Sequence, residues 1–250
     1  MLITCEELKG MLEKENVLII DTRDWHSYIN GHIPSAINLD LFAFHFYITS
    51  EKGIEIFNEM MVNLLSSIGI SYNKFVIFYD DISGILAARG LWLMHYFSHF
   101  NTAILNGGIE EWKKYYELEI KVNTPKPSNF KPKINNEVLA RLDDIINTNH
   151  TIIDSRSKEE YEGKIVRSAR GGHIPKAINI EWSLNLNGNK FKDREELLKL
   201  YKDYNNIICY CQGGYRAAHT YLALKILGRN AKVYLGSWYE YGNRLDLPIE

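Results

Sequence analysis

The chain has 250 residues, enough for one large domain or two of ordinary size. An apolar fraction of 46% and a charged fraction of 24% suit a globular protein and exclude a disordered or fibrous one. A formal net charge of −2 gives no electrostatic footprint for nucleic acid or for a membrane surface.

The opening residues, Met1-Leu2-Ile3-Thr4-Cys5-Glu6-Glu7, lack the basic and apolar regions of a signal peptide. Periodicity predicts a helix over 5–13, then a strand over 17–20 that ends on Asp21-Thr22-Arg23. A short helix over 24–29 leads into Gly31-His32-Ile33-Pro34-Ser35-Ala36-Ile37-Asn38. A buried-type strand over 75–79 runs into Asp80-Asp81-Ile82-Ser83-Gly84, and a helix follows over 84–97. That helix is the most apolar in the chain, yet it is too short to span a bilayer and carries Arg89 and His95. A strand over 103–105 and the turn at Gly107-Gly108 complete the first half. Residues 123–132 hold three of the six prolines and no apolar period, so they read as an extended linker.

The second half repeats this order. A helix is expected over 138–146, and a strand over 152–153 ends on Asp154-Ser155-Arg156. A short helix over 158–162 precedes Gly172-His173-Ile174-Pro175-Lys176-Ala177-Ile178-Asn179. A strand over 207–210, a helix over 215–227 closed by Gly228, a strand over 233–235 and the turn Gly236-Ser237-Trp238 follow in step. The motif Asp-x-Arg, then Gly-His-Ile-Pro-x-Ala-Ile-Asn, therefore occurs twice, and the chain is two copies of one unit. The domains are expected at 1–122 and 135–250, joined by 123–134. Alternating helices and apolar strands predict an α/β fold, each copy a mostly parallel sheet with helices on both faces. Ligands of such sheets sit beyond the carboxyl ends of the strands.

One such end carries the candidate chemistry. The strand over 207–210 stops at Cys211-Gln212-Gly213-Gly214-Tyr215-Arg216, and a helix begins at once. A strand that ends in a Gly-rich turn and opens a helix aims several backbone N–H groups at one spot, an anion nest. That nest and Arg216 favour a thiolate, which makes Cys211 the candidate nucleophile. The competing reading is a buried structural cysteine at a strand end. The first copy has Asp80 or Asp81 opposite Cys211, and no arginine opposite Arg216. A carboxylate repels anions, so the first copy is expected to be inactive. It either walls the pocket or only supports the fold.

The pattern resembles the tandem form of the rhodanese (thiosulfate sulfurtransferase) family. The resemblance covers the whole chain. It rests on the twin motifs, on Cys211, Gly214 and Arg216, and on the ending Gly236-Ser237-Trp238…Asn243-Arg244-x-x-Leu247-Pro248-Ile249-Glu250. The chain is expected to be complete, since it ends where such proteins end. The resemblance implies a ping-pong reaction. Cys211 takes a sulfane sulfur from thiosulfate as a persulfide and gives it to an acceptor such as cyanide. It implies no metal or organic cofactor, and a monomer.

Carried over residue by residue, Gln212, Gly213, Gly214, Tyr215 and Arg216 form the substrate loop. Arg156 contacts the anionic donor, with a salt bridge to Glu159 or Glu160 as its bland alternative. Asp154 fixes a loop, and Trp238 is a core aromatic or a pocket wall. His32 and His173 occur in both copies and are structural on that ground. Lys164, Arg167 and Arg170 lie in an insertion of the second copy, where they either add positive potential or are simply solvated.

Gln212 departs from the charged loop of thiosulfate-selective members, while Arg216 favours thiosulfate over 3-mercaptopyruvate. A phosphatase would need a loop one residue longer. A persulfide carrier that serves a protein or thiol acceptor is the non-enzymatic alternative. Three cysteines, Cys5, Cys209 and Cys211, make no disulfide framework, and no second pair stands at zinc spacing. A reducing, cytoplasmic setting is expected.

Overall fold

Strand-type runs of both halves lie in two parallel five-stranded sheets. The computed structural model describes residues 1–146 and 148–250. Two compact units form: Met1–Phe44, Phe57–Ile134 and Asn187–Phe191 in the first, and His45–Ile56, Asn135–Leu186 and Lys192–Glu250 in the second. Each half therefore lends the other unit a short segment.

In chain order the first half runs β1 (Leu2–Ile3), α1 (Cys5–Lys9), β2 (Val17–Asp21), α2 (Trp25–Ile29) and β3 (Ile37–Asn38). It continues with α3 (Glu51–Ser67), β4 (Phe75–Tyr79), α4 (Ile85–Tyr96), β5 (Thr102–Leu105) and α5 (Gly108–Trp112). Its sheet order is β1-β5-β4-β2-β3, every pairing parallel. Ile19, Ile77, Ala103, Leu105 and Trp112 share one buried cluster.

The second half runs β6 (Leu139–Ala140), α6 (Leu142–Ile146), β7 (Thr151–Asp154), α7 (Lys158–Tyr161) and β8 (Ile178–Asn179). A two-stranded ribbon follows, β9 (Leu186–Asn187) and β10 (Lys190–Phe191). Then come α8 (Arg194–Tyr201), β11 (Ile207–Tyr210), α9 (Tyr215–Ile226), β12 (Ala231–Tyr234) and α10 (Ser237–Tyr241). The order β6-β12-β11-β7-β8 repeats that of the first sheet.

Two sequence expectations shift. The helix expected over 5–13 ends at Lys9, because Gly10 turns its N–H back to Glu6 and Leu8. The helix expected over 138–146 is split. Leu139 and Ala140 pair with Val233 and Tyr234, and the Asp144 side chain then caps a helix start at the Arg141 N–H. Pairing with β12 overrides the local helical period. Residues 123–134 form no helix or strand and pack with the first unit. The Asn123 N–H donates to the Tyr28 hydroxyl, the Ser128 N–H to the Ser66 carbonyl, and Phe130 is buried beside Tyr72 and Phe97.

Candidate active site

Register decides what stands at the carboxyl edge. Tyr79 pairs with Asp21, and Tyr210 with Asp154, so Asp80 and Cys211 follow at equivalent places. The main chain confirms the equivalence: Asp80 accepts at its carbonyl from the Ile109 N–H, and Cys211 from the Trp238 N–H, each at 2.9 Å. The choice between Asp80 and Asp81 thus falls on Asp80.

Cys211 is 1% exposed. Its N–H donates to Ser237 Oγ at 3.2 Å, and its Sγ accepts from the Gly214 N–H at 3.1 Å. Gly214 holds φ 89°, a left-handed value that glycine adopts freely, and this turn aims its N–H at the sulfur. Gly214 is also the N-cap of α9, so the sulfur sits at the positive end of a twelve-residue helix. The Gln212 amide donates to the Arg167 carbonyl at 3.2 Å and to Ser168 Oγ at 3.0 Å, which ties the loop to the insertion at 163–172.

Arg216 lies in the first turn of α9 and makes a two-pronged pair with Glu160, Nη1 to Oε2 at 2.5 Å and Nη2 to Oε1 at 3.0 Å. Glu160 is 3% exposed and also receives Arg167 Nε at 3.1 Å. Burial alone would raise the Glu160 carboxyl, but the hydrogen bonds and charge of Arg216 more than offset it and hold it below the usual range. Burial likewise works against the Arg216 charge. Glu160, and then the nearby Cys211, outweigh that and raise it.

Arg156 is placed differently from Arg216. Its Nε and Nη2 are held by the Asp154 carboxylate at 2.7–3.0 Å, and Nη2 also donates to the Gly172 carbonyl at 2.7 Å. Its guanidinium lies 4.6 Å from the centre of the Trp238 ring, a cation–π contact. The sequence offered Arg156 as a donor contact, with Glu159 or Glu160 as its alternative partner; the partner is Asp154. Arg23 does the same in the first unit, on Asp21 and the Gly31 carbonyl. The other twin-motif residues also behave alike in both units. His32 and His173 meet the carbonyls of Tyr28 and Tyr161 through Nδ1, and Asn38 and Asn179 tie down the Asp-x-Arg turns.

The insertion residues divide. Arg167 faces Glu160, Lys164 pairs with Glu162 at 2.6 Å, and Arg170 donates to the carbonyls of Arg244 and Leu247. Of these three, Arg167 alone meets the cysteine loop, through its carbonyl on the Gln212 amide.

One residue escaped the sequence reading. His45 lies against Gly213 so closely that a Cβ there would overlap the imidazole. Its ring stacks on Tyr215, centroids 5.5 Å apart and 12° from parallel, and meets Tyr239 edge-on at 6.5 Å. The segment that carries it is moored by Thr49, whose N–H donates to Glu240 Oε1 at 2.8 Å and whose hydroxyl donates to Oε2 at 2.5 Å.

A doubled parallel α/β unit, with a cysteine in a backbone nest in one copy and a carboxylate at that place in the other, defines the class. The rhodanese-like domain model matches residues 4–115 and 137–244, and the chain belongs to the rhodanese family of sulfurtransferases. Thiosulfate sulfurtransferase of Corynebacterium glutamicum is 33% identical over 275 residues, covering all of this chain and 90% of that protein. Thiosulfate sulfurtransferase of Azotobacter vinelandii is 29% identical over 263 residues, covering all of this chain and 97% of that protein. SseA of Escherichia coli, a 3-mercaptopyruvate sulfotransferase, has a solved structure similar to this one. The TM-score is 0.82 at 26% identity, over 95% of this chain and 98% of that one. No helix among the described residues is long and apolar enough to cross a membrane.

Proposed function

We propose that the chain moves a sulfane sulfur from thiosulfate to a thiophilic acceptor through a persulfide on Cys211. The observation that carries this reading is the Gly214 N–H on Cys211 Sγ at the head of α9. The Cys211 thiolate attacks the outer sulfur of thiosulfate. The Sγ–S bond forms, the S–S bond of the donor breaks, and sulfite leaves with the electron pair. The persulfide keeps one negative charge, which the loop N–H groups and the helix end stabilise. Cyanide or a thiolate then attacks the outer sulfur, and Cys211 leaves as thiolate.

Arg216 supports a dianionic donor, and so do the names of the relatives from Corynebacterium glutamicum and Azotobacter vinelandii. In this reading Arg216 and Arg167 supply the positive field, and Glu160 keeps the Arg216 fork in place. Gln212 pins the loop to the insertion. Arg156 acts as a positioning residue that holds the Asp154 turn beside β11. The likeness to SseA keeps 3-mercaptopyruvate as the second donor.

Thiocyanate formation from cyanide, with each donor in turn, tests the reading. Faster turnover with thiosulfate is expected. Faster turnover with 3-mercaptopyruvate would move the chain to the sister activity. Silence with both, beside a stable persulfide on Cys211 by mass, would point to a carrier for a protein or thiol acceptor.

The seat of His45 gives a separate expectation. Gly213→Ala must push the imidazole off the loop, so it should cost about tenfold in kcat/KM, with His45→Ala costing a similar factor. The double variant should be no worse than either single one. Multiplied losses in the double variant would show that His45 and Gly213 act apart.

A further inference from the structure

The first unit carries a nest of its own, and it is occupied. Asp80 Oδ1 accepts from the Gly84 N–H at 2.9 Å, and Oδ2 accepts from the N–H groups of Leu86 and Ala87 at 3.0 and 3.1 Å. These donors belong to the cap and first turn of α4, a twelve-residue helix whose own N-cap, Gly84, offers no side chain. Three N–H groups that would otherwise be orphaned are thus satisfied by one carboxylate. Gly84 must lack a Cβ here, since one would stand 2.5 Å from Asp80 Oδ2. The carboxylate is 4% exposed, and burial pushes it up to about 6, against the pull of the N–H bonds. The second unit holds Cys211 Sγ at the corresponding place.

We propose that the turn before α4 is a latent binding site for a small planar monoanion of carboxylate size, kept filled from within by Asp80. The first unit lacks neither the nest nor the helix end; its nest is plugged. To the repulsion of anions by a carboxylate, the reason the sequence suggested for inactivity, occupancy of the nest is added. The inference is independent of the reaction assigned to Cys211.

Asp80→Ala removes the volume of one formate ion and leaves its three donors in place. The variant of the full chain should unfold about 5 °C or more below the parent. Sodium formate, titrated at constant ionic strength against sodium chloride, should restore at least half of that loss along a saturating curve. Sodium sulfate should restore less, because a tetrahedral dianion does not fit a carboxylate's place, and the parent should not respond. Asp80→Asn sets an N–H₂ against N–H donors; it should also unfold early and gain little from formate. Formate no better than chloride, an equal shift in parent and variant, or a variant as stable as the parent would each overturn the proposal. If Asp80→Ala does not accumulate folded, refolding yield from denaturant with and without formate becomes the readout. No gain in yield with formate would overturn it as well.

Discussion

Cys211→Ser is expected to abolish sulfur transfer from either donor, a loss of about 10⁴-fold or more, with the fold intact. Serine is nearly isosteric, and its hydroxyl can take the Gly214 N–H that Sγ now accepts at 3.1 Å. What it cannot do is form the sulfur–sulfur bond that stores the transferred atom. The other two thiols offer no relief. Cys209 is fully buried within β11, and burial, with Cys211 beside it, pushes its thiol far up. Cys5 is 6% exposed and is also raised, first by burial and then by Glu111. Neither stands in the Gly-rich turn at the head of α9, where the Gly214 N–H reaches Cys211 Sγ. The measurement is thiocyanate release together with intact mass after thiosulfate treatment. The parent should gain one sulfur atom and the variant none. Turnover in the variant, or sulfur on Cys5 or Cys209, would remove Cys211 from the reaction.

The fold was legible because the twin motif is a scaffold, and scaffolds must repeat. Asp-x-Arg folds back on itself in each unit, through Arg23 on Asp21 and Arg156 on Asp154. The histidine of Gly-His-Ile-Pro meets a helix carbonyl in each. These are local contacts with local signatures. The donor contact expected of Arg156 rests on its match to a family arginine, whereas its pairing with Asp154 two residues back is a contact that only the folded turn displays.

Other parts of the site had no signature at all. His45 stands in the aperiodic stretch between β3 and α3, outside both copies of the motif, and reaches Gly213 only because residues 45–56 pack with the second unit. Glu160 was visible, but as the neighbour of Arg156 one helical turn away. Its pairing with Arg216 joins α7 to α9 across 56 residues. Ser157, four residues closer to the Asp154 turn than Tyr161, fixes Glu160 through a capping box, so the carboxylate is aimed by α7 and not by the motif.

That pairing sets up the second large effect. Arg216→Ala should lower kcat/KM for thiosulfate by about 10²–10³-fold, more through KM than kcat, and should also destabilise the second unit. Removing the guanidinium leaves the Glu160 carboxylate, 3% exposed, with Arg167 as its remaining cation. Stripping one partner from a buried pair costs about 3–5 kcal/mol, and Arg167 should keep the cost near the lower figure. On the proposed reaction, the stranded carboxylate also sets a negative charge near the approach of a dianionic donor. Two losses are therefore mixed in one variant, and Glu160→Gln separates them. The double variant Arg216→Ala/Glu160→Gln should regain most of the stability, because no charge is left buried. It should regain only the part of kcat/KM that the stranded carboxylate had taken. Denaturant unfolding and donor-dependent kinetics on the three proteins decide the matter. Full recovery of kcat/KM in the double variant would make Arg216 a mere partner for Glu160 and leave Arg167 and the loop N–H groups to hold the donor. Stability regained without activity would assign Arg216 to the donor itself.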